Sequence, residues 1–486
     1  MSGQETADRQ MMKYVNSAIA VLFMLFFRFL PAPAPMEPIG MAILGIFIGA
    51  IYAWCTVSLI WPSILALTLL GLTGYCTVPE AYATAAGNNT VLLALFMMLF
   101  ASIIGESGLT QWIADWIISR KISQGRPWVM SFMLLLAAYI ATVFVDSVPA
   151  ILICWGFLYA ICEQIGYKPR DKYPTLMIIG IVFASIMGFG FFPFKIAVVA
   201  NYGFLASAMG GPVDYSYGAY IIFSFIFGLL GVVMYVLMCK FILRPDVTLL
   251  KNADMAALAS AKKSINGRQK LTIALLAVLI LALLLPSFLL KTLFLGRLLA
   301  NIGTTGIVAL MVGVVIFINY QGKPLAEFRE MMDKGVSWDL IFMIAAALTL
   351  ASGMTSDLTG IKPMLMQIVM PLLGGKSAFV FCAVFMLVAL VLTNLINNIV
   401  VSAIMIPILY TFSLELDFNP VAMVAVFIYV CNMAIMLPSS SPSGAMIHGN
   451  REWVSGGDAI KYAIMTMIMT ALLAVVVGIP LSELLF

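Results

Sequence analysis

Long apolar stretches recur along the whole of this 486-residue chain, and they constrain its fold more than any other feature. A stretch of about 17 residues or more can cross the roughly 30 Å hydrocarbon core of a bilayer as a helix. Hydrophobic residues make up 63% of the chain and charged residues 10%, which is not the composition of a soluble domain. The sequence therefore predicts an all-α polytopic protein of the cell (inner or plasma) membrane.

Charges and turn residues divide the apolar sequence into eleven predicted transmembrane helices and two further blocks. The helices are predicted near 14–30, 39–55, 58–75, 91–118, 174–208, 217–241, 271–294, 300–319, 337–356, 419–448 and 457–485. The blocks 127–165 and 377–413 each contain a polar break, VDSVP at 145–149 and TNLINN at 393–398. We predict that each block is a re-entrant hairpin that enters and leaves the membrane on one side.

The positions of the basic residues support this topology. Most of the 26 lysines and arginines lie in alternate loops, and the alternation holds only if both blocks are re-entrant. By the positive-inside rule, the N-terminus is predicted to be cytoplasmic and the C-terminus outside. The first hairpin then opens to the cytoplasm and the second opens outward.

The two halves of the chain repeat the same order of features. In each, a span ending in ESGL (106–109) or ASGM (351–354) precedes a hairpin and then a broken helix, SIMGFGFFPFK (185–195) or NMAIMLPSSSPSG (432–444). The predicted organisation is N-terminal scaffold helices 1–90, first repeat 91–242, cytoplasmic linker 243–270, scaffold helices 271–336 and second repeat 337–486. Because the hairpins open on opposite sides, this is an inverted repeat. Such repeats place a site near the midplane, where helix N-termini attract anions and free carbonyls attract Na⁺.

Three motifs resemble the divalent anion:sodium symporter (DASS) family of the ion transporter superfamily. MLPSSSPSGAMIHG (436–449) is similar to the family's M-L-P-x-x-T-P-P-N-A-I-x-x-G, and NIVVSAIMIP (398–407) to its S-N-T-x-T hairpin region. SIMGFG (185–190) follows the family's S-x-G-G-x-G with Met187 in place of one glycine. The resemblance implies a homodimer in which a scaffold supports an elevator-type transport domain made of both hairpins and both broken helices.

The resemblance also implies positions for the sites. The family's first sodium site corresponds to Thr142, Asp146, Ser147 and Phe194. Its second sodium site corresponds to Thr393, Ile396, Asn398 and Ser440. The family's substrate contacts correspond to Ser147, Val148, Lys195, Asn398, Ile399, Ser441 and Pro442. Na⁺ is therefore the expected cofactor, with no organic cofactor.

This chain departs from the family at the hairpin tips and at the first break. The family's S-N-T tips read Asp146-Ser147-Val148 and Asn397-Asn398-Ile399, and Lys195 replaces a threonine. Ionisable groups at membrane depth are costly and tend to face a cavity or a partner. Three readings of Asp146 and Lys195 remain open: a structural buried ion pair, a lysine that meets the substrate, and a pair that replaces the first Na⁺, with proton coupling through the lysine.

These observations predict a secondary active transporter of a small organic anion, di- or tricarboxylate-like, coupled to Na⁺, with Lys195 replacing one cation site. The alternatives are an inorganic ion antiporter or arsenite-type carrier of the same superfamily, and a proton-coupled or exchange-type anion carrier. An enzyme is not expected, because HExxH and GxSxG motifs are absent and the chain has one histidine. The expected partners are the anionic substrate, the lipid bilayer and a second copy, not nucleic acid.

Overall fold

The structure is a computed structural model that describes residues 3–118, 125–251, 265–288, 294–364, 367 and 377–486. Within these residues eleven helices are long and apolar enough to cross a membrane. Three of the eleven are arms of the predicted hairpins, so this set differs from the eleven predicted crossings although the number agrees. Residues 252–264 of the predicted linker lie outside the described residues.

The first half of the chain is helical almost throughout. Its helices are α1 (Gly3–Phe26), α2 (Pro38–Thr56), α3 (Ile60–Leu70), α4 (Val78–Gly87), α5 (Asn89–Glu106), α6 (Leu109–Ile118), α7 (Pro127–Phe144), α8 (Ser147–Ile165), α9 (Lys172–Phe189), α10 (Ile196–Met209), α11 (Tyr217–Leu237) and α12 (Thr248–Lys251). Two short elements extend it, a 3-10 turn Phe27–Phe29 and a π-helical turn Met238–Leu243.

The second half continues in the same way. Its helices are α13 (Gly267–Phe288), α14 (Phe294–Phe317), α15 (Phe328–Glu330), α16 (Trp338–Thr355), α17 (Ala378–Thr393), α18 (Asn398–Leu416), α19 (Pro420–Cys431), α20 (Pro442–Gly449), α21 (Gly456–Leu473) and α22 (Ile479–Leu485). The non-α elements are the antiparallel pair β1 (Asn319–Tyr320) and β2 (Lys323–Pro324), π-helical turns Met331–Gly335 and Ala474–Gly478, and a 3-10 turn Asp357–Thr359.

Both helical hairpins and both broken helices are present where the sequence places them. We call α7 and α8 the first hairpin, α17 and α18 the second hairpin, α9 and α10 the first broken helix, and α19 and α20 the second broken helix. The breaks are residues 190–195 and 432–441. Prolines at 193, 438 and 442 explain the interruptions, because proline removes a helix hydrogen bond and disfavours a helical residue before it.

Two predicted spans differ from the structure. The span 91–118 is two helices, α5 and α6, because Gly108 turns the chain with a φ of +72°. The span 58–75 is only partly helical, as α3 ends at Leu70 and Gly71–Thr73 form turns. Apolar residues continue beyond ESGL (106–109) and beyond Gly71, and apolar length alone does not show that a glycine turns the chain there.

The hairpins and broken helices interlock across the two halves. Within each half, the first hairpin arm packs against the first segment of the broken helix, α7 on α9 and α17 on α19. Between halves, α10 packs against α18, and α20 packs against α8. Helix α9 is buried along nearly its whole length, so it forms the centre of this assembly.

Candidate functional site

The C-terminal end of α7 contacts the ammonium group of Lys195. The Lys195 ammonium group donates hydrogen bonds to the carbonyl oxygens of Thr142 at 3.0 Å and Val145 at 2.7 Å. The ring of Phe189 lies 5.8 Å from the same nitrogen. Carbonyls at a helix C-terminus carry partial negative charge, so the ammonium group lies where the helix favours a cation.

Asp146 lies beside this contact but does not form a contact ion pair with Lys195. In the described part of the chain the ion pairs are Arg268–Glu106, Arg329–Asp333 and Lys334–Glu330. The Asp146 carboxylate instead accepts the backbone N–H of Ser147 at 2.6 Å and caps the N-terminus of α8. Its side chain is exposed at the hairpin tip. The structural ion pair is therefore not observed.

The remaining predicted residues of the first half surround the same tip. The Thr142 hydroxyl donates to the carbonyl of Ala138 at 2.7 Å, so only its carbonyl faces the ammonium group. Ser147 and Val148 form the first turn of α8 and are half-buried. Phe194 is buried and stacks on Phe192 with ring centroids 4.8 Å apart.

Asn394 joins the second hairpin to the second break, and the sequence reading did not single it out. Its side chain is fully buried. The amide group donates to the carbonyls of Leu390 at 2.8 Å and Met433 at 2.9 Å. The side-chain oxygen accepts from the backbone N–H groups of Ile435 at 3.0 Å and Met436 at 2.8 Å. Its only signal in the sequence is its place in the polar run TNLINN (393–398), between two apolar arms.

The second hairpin tip is bonded to the second break through two further side chains. Asn398 donates its amide to the side-chain oxygen of Asn432 at 3.0 Å, and the Thr393 hydroxyl donates to the carbonyl of Cys431. Side-chain oxygens of Asn397 and Asn398 accept the N–H of Ile399 at 2.9 and 3.0 Å. The tip is thereby capped by neutral amides.

The other residues predicted in the second half line the break. The Ser440 hydroxyl donates to the carbonyl of Leu437 at 2.7 Å. Ser441 caps α20 by accepting the N–H of Gly444 at 3.0 Å, and Pro442 is the exposed first residue of α20. The Nε2 atom of His448 contacts the carbonyl oxygen of Met436 at 2.9 Å.

The two hairpin tips differ in the state of equivalent carbonyls. Thr142 and Val145 lie four and one residues before the tip residue Asp146, as Thr393 and Ile396 lie before Asn397. The first pair of carbonyls is occupied by the Lys195 ammonium group. The second pair accepts no hydrogen bond from any residue that the structure describes. The two tips therefore differ in whether a side chain of the described protein occupies these carbonyl oxygens.

The two breaks lie side by side. A methyl group at Gly190 would come within 3.1 Å of the Tyr429 ring, which is three residues before Asn432. The hydroxyl of Tyr220 donates to the carbonyl of Gly190 at 2.7 Å, and that of Tyr202 to the carbonyl of Val421 at 3.1 Å. The contacts of Gly190 and Tyr202 therefore join the first broken helix to α19 of the second half.

Solved structures with this fold are membrane transporters. The Alcanivorax borkumensis YdaH transporter matches with a TM-score of 0.58 and 16% identity over 82% of this chain and 88% of the other. Neisseria gonorrhoeae MtrF, described among antimetabolite efflux pumps, matches with a TM-score of 0.57 and 12% identity over 96% and 94%. At such identities the likeness shows the fold alone, that of a multi-helix membrane transporter.

The family follows from the sequence comparison. A family model described as a citrate transporter matches residues 46–428, most of the chain, and the protein belongs to that family. Two curated relatives are named sodium-dependent dicarboxylate transporter SdcS. The Staphylococcus saprophyticus relative is 23% identical over 92% of this chain and 90% of its own length, and the Staphylococcus aureus relative is 23% identical over 95% and 91%. The predicted family relationship is confirmed, and the protein is a transporter rather than an enzyme.

Proposed function

We propose that this protein is a secondary active transporter that couples the movement of a small organic carboxylate to Na⁺. The observation that carries the proposal is the pair of equivalent carbonyl sites, one filled by the Lys195 ammonium group and one open. The names of the curated relatives, which are sodium-dependent dicarboxylate transporters, support both the ion and the substrate class.

The open site of the second half is the proposed Na⁺ site. Na⁺ is a hard cation that binds oxygen ligands, and the carbonyls of Thr393 and Ile396 have no other hydrogen-bond partner in the described chain. We assign Asn398 and Ser440 to the same site because their side chains lie at the tip and in the break that the Asn394 network joins. The carbonyl groups at the C-terminal ends of α17 and α19 carry partial negative charge, which attracts a cation.

In the first half, Lys195 takes the place of a second sodium ion. Its ammonium group makes the contacts with Thr142 and Val145 that a bound cation would make. The protein then needs one free cation per cycle for this pair of sites. Asp146, Ser147 and Phe194 surround a lysine in this proposal, not a Na⁺ ion.

The substrate lies between the tips and the breaks, where four helices begin. These are α8 at Ser147, α10 at Ile196, α18 at Asn398 and α20 at Pro442. Helix N-termini present backbone N–H groups and attract carboxylates. Transport moves the hairpins and broken helices as one body past the scaffold helices of a homodimer, so that the site faces each side in turn.

Uptake by proteoliposomes tests the coupling. With purified protein, labelled succinate or citrate should accumulate under an inward Na⁺ gradient and not under a choline gradient. Asn398→Ala should raise the Na⁺ concentration for half-maximal uptake, whereas Asn419→Ala, at a helix start outside both tips, should leave it unchanged. Exchange of Na⁺ for H⁺ without any organic anion would contradict the proposal and favour an inorganic ion antiporter.

A further inference from the structure

The candidate site contains two ionisable side chains, and the structure gives them different surroundings. Within the tips and breaks, residues 142–149, 190–196, 393–399 and 432–442, only Asp146 and Lys195 can carry a charge. Lys195 directs its ammonium group to the carbonyls at the end of α7. The partial negative charge of these carbonyls therefore balances part of the Lys195 charge.

Asp146 retains an exposed acceptor. One carboxylate oxygen, Oδ1, accepts from Ser147, while the other accepts no hydrogen bond from the residues that the structure describes. A carboxylate has only acceptor oxygens, so its complement is a donor, best a charged one. As the cap of α8, it also offsets the positive end of that helix, which would otherwise attract an anion.

The second half of the site is different. Asn397, Asn398 and Ser441 cap α18 and α20 with neutral groups, so the partial positive charge of these helix ends is retained. Helix α10 begins at Ile196 without a side-chain cap from any described residue. The two halves of the site thus differ in their helix caps: a carboxylate caps α8 at the first tip, and neutral side chains cap α18 and α20 in the second half.

We propose that the transported substrate carries a protonated amine in addition to its carboxylate, and that Asp146 selects for it. This inference rests on the proposed function and specifies its substrate class. The ammonium group of the substrate contacts Asp146, and its carboxylate contacts the N-termini of α18 and α20. A simple dicarboxylate would instead bring one of its two negative charges toward Asp146, where like charges repel.

Matched substrate pairs that differ by one amine test this selectivity. Thermal stabilisation and uptake competition would compare L-aspartate with succinate and L-glutamate with glutarate, each with Na⁺ and with choline. We expect the amine-bearing member to act at a concentration at least tenfold lower. Asp146→Asn, which keeps the side-chain oxygen that caps α8, and Asp146→Ser should bring each pair within about threefold. Asp357→Asn, an exposed carboxylate outside the site, should leave the tenfold preference intact.

Each other outcome has a defined meaning. Na⁺-dependent responses to succinate and glutarate that equal or exceed those to the amino acids would overturn this inference and leave the proposed function standing. A preference that survives in Asp146→Asn would also overturn it. A changed Na⁺ or pH dependence with an unchanged preference would make Asp146 a cation or proton site and overturn it as well. A preference for the amino acids that is equal in Na⁺ and choline would support this inference and contradict the Na⁺ coupling, and no response to any of the four would contradict both.

Discussion

Lys195 makes the two backbone contacts that we propose take the place of a bound ion. Its ammonium group connects the first break to the end of α7 through two carbonyls, and it is only half-buried. A lysine at membrane depth costs at least about 2.5 kcal/mol to insert, so it is retained where a partner or a task compensates. Hydrogen bonds to two carbonyls at a helix end compensate this cost only in part. We propose that the lysine is retained because it replaces a cation.

Replacing this lysine should therefore impair transport more than folding. Lys195→Met keeps the length and the apolar stem of the side chain but leaves the carbonyls of Thr142 and Val145 without a donor. We expect Na⁺-driven uptake to fall at least tenfold while the protein still elutes as one monodisperse species. Lys461→Met, a lysine on an exposed position of α21, is the matched control. Wild-type uptake by Lys195→Met would contradict the role assigned to the ammonium group.

Asn394 connects the second hairpin to the second break through its buried side chain. Removing its side chain leaves a buried N–H group, a partly buried N–H group and a buried carbonyl without these partners, which costs on the order of 3 kcal/mol. Asn394→Ala should lower the unfolding temperature in detergent and weaken the response to Na⁺. Asn201→Ala is a suitable comparison, because that buried asparagine bonds only to its own helix and its side-chain oxygen has no partner among the described residues. Equal losses in the two variants would argue against a special role for Asn394.

Some residues of the candidate site could be predicted from the sequence. The polar tips and the isolated lysine marked Asp146, Lys195 and Asn398 as unusual, because an apolar background makes single polar residues stand out. The sequence could not show that Lys195 binds backbone carbonyls and not the Asp146 carboxylate. Every residue has a backbone carbonyl, so the sequence does not mark the ones that accept a hydrogen bond. It also could not distinguish Asn394 from its neighbours, because three of its four hydrogen bonds depend on how the break folds.

At the scale of elements, close contact between α7 and α9 fixes the first hairpin against the first broken helix. Gly188 allows this contact, because a Cβ at that position would lie 2.2 Å from the backbone oxygen of Tyr139. Real side chains do not tolerate such a distance, so any larger residue separates the two helices. The position of Lys195 relative to the α7 carbonyls depends on this packing.

A pair of alanine substitutions measures that dependence. Gly188→Ala should lower both the unfolding temperature and the uptake rate, since the hairpin must move away from the break. Gly156→Ala, inside α8 where a Cβ meets nothing within 4 Å, should be neutral or stabilising by about 0.5–1 kcal/mol. Wild-type behaviour of Gly188→Ala would show that the contact is less restrictive than the backbone indicates.

The elements themselves were largely predictable, and their interruptions were not. Both hairpins and both broken helices appear because proline, glycine and polar clusters mark them within otherwise continuous apolar sequence. Gly108 interrupts the span 91–118 within ESGL (106–109), which the sequence marked as the end of a span while the apolar pattern continued to residue 118. Whether the hairpins are re-entrant remains a prediction, because both arms of the first hairpin are long enough to cross a membrane.

At the scale of the whole molecule, the proposed motion requires the second hairpin to slide past the N-terminal scaffold. One point where they approach each other is the end of α2, where the thiol of Cys55 lies near the backbone amide of Asn397 at the hairpin tip. This contact joins the predicted scaffold to the predicted transport domain. Movement during transport must break it.

A disulfide at this point should stop transport reversibly. In a variant that keeps Cys55 as its only native cysteine, Asn397→Cys should cross-link under oxidation and lose uptake, and a reductant should restore it. The same variant with Cys55→Ser cannot cross-link and should be unaffected by oxidation. Full uptake by the cross-linked protein would show that the tip and α2 move together, contrary to the proposed elevator motion.

The lysine that occupies the first carbonyl site has an electrical consequence. Because it is tethered to the chain, its charge crosses with the substrate and returns with the empty protein, so it adds nothing to the net current of a cycle. A dianion carried with one Na⁺ would then move against an inside-negative membrane potential, at about 2.3 kcal/mol per charge for each 100 mV. An amino dicarboxylate, with one net negative charge, would balance the single Na⁺, and its accumulation would be independent of voltage.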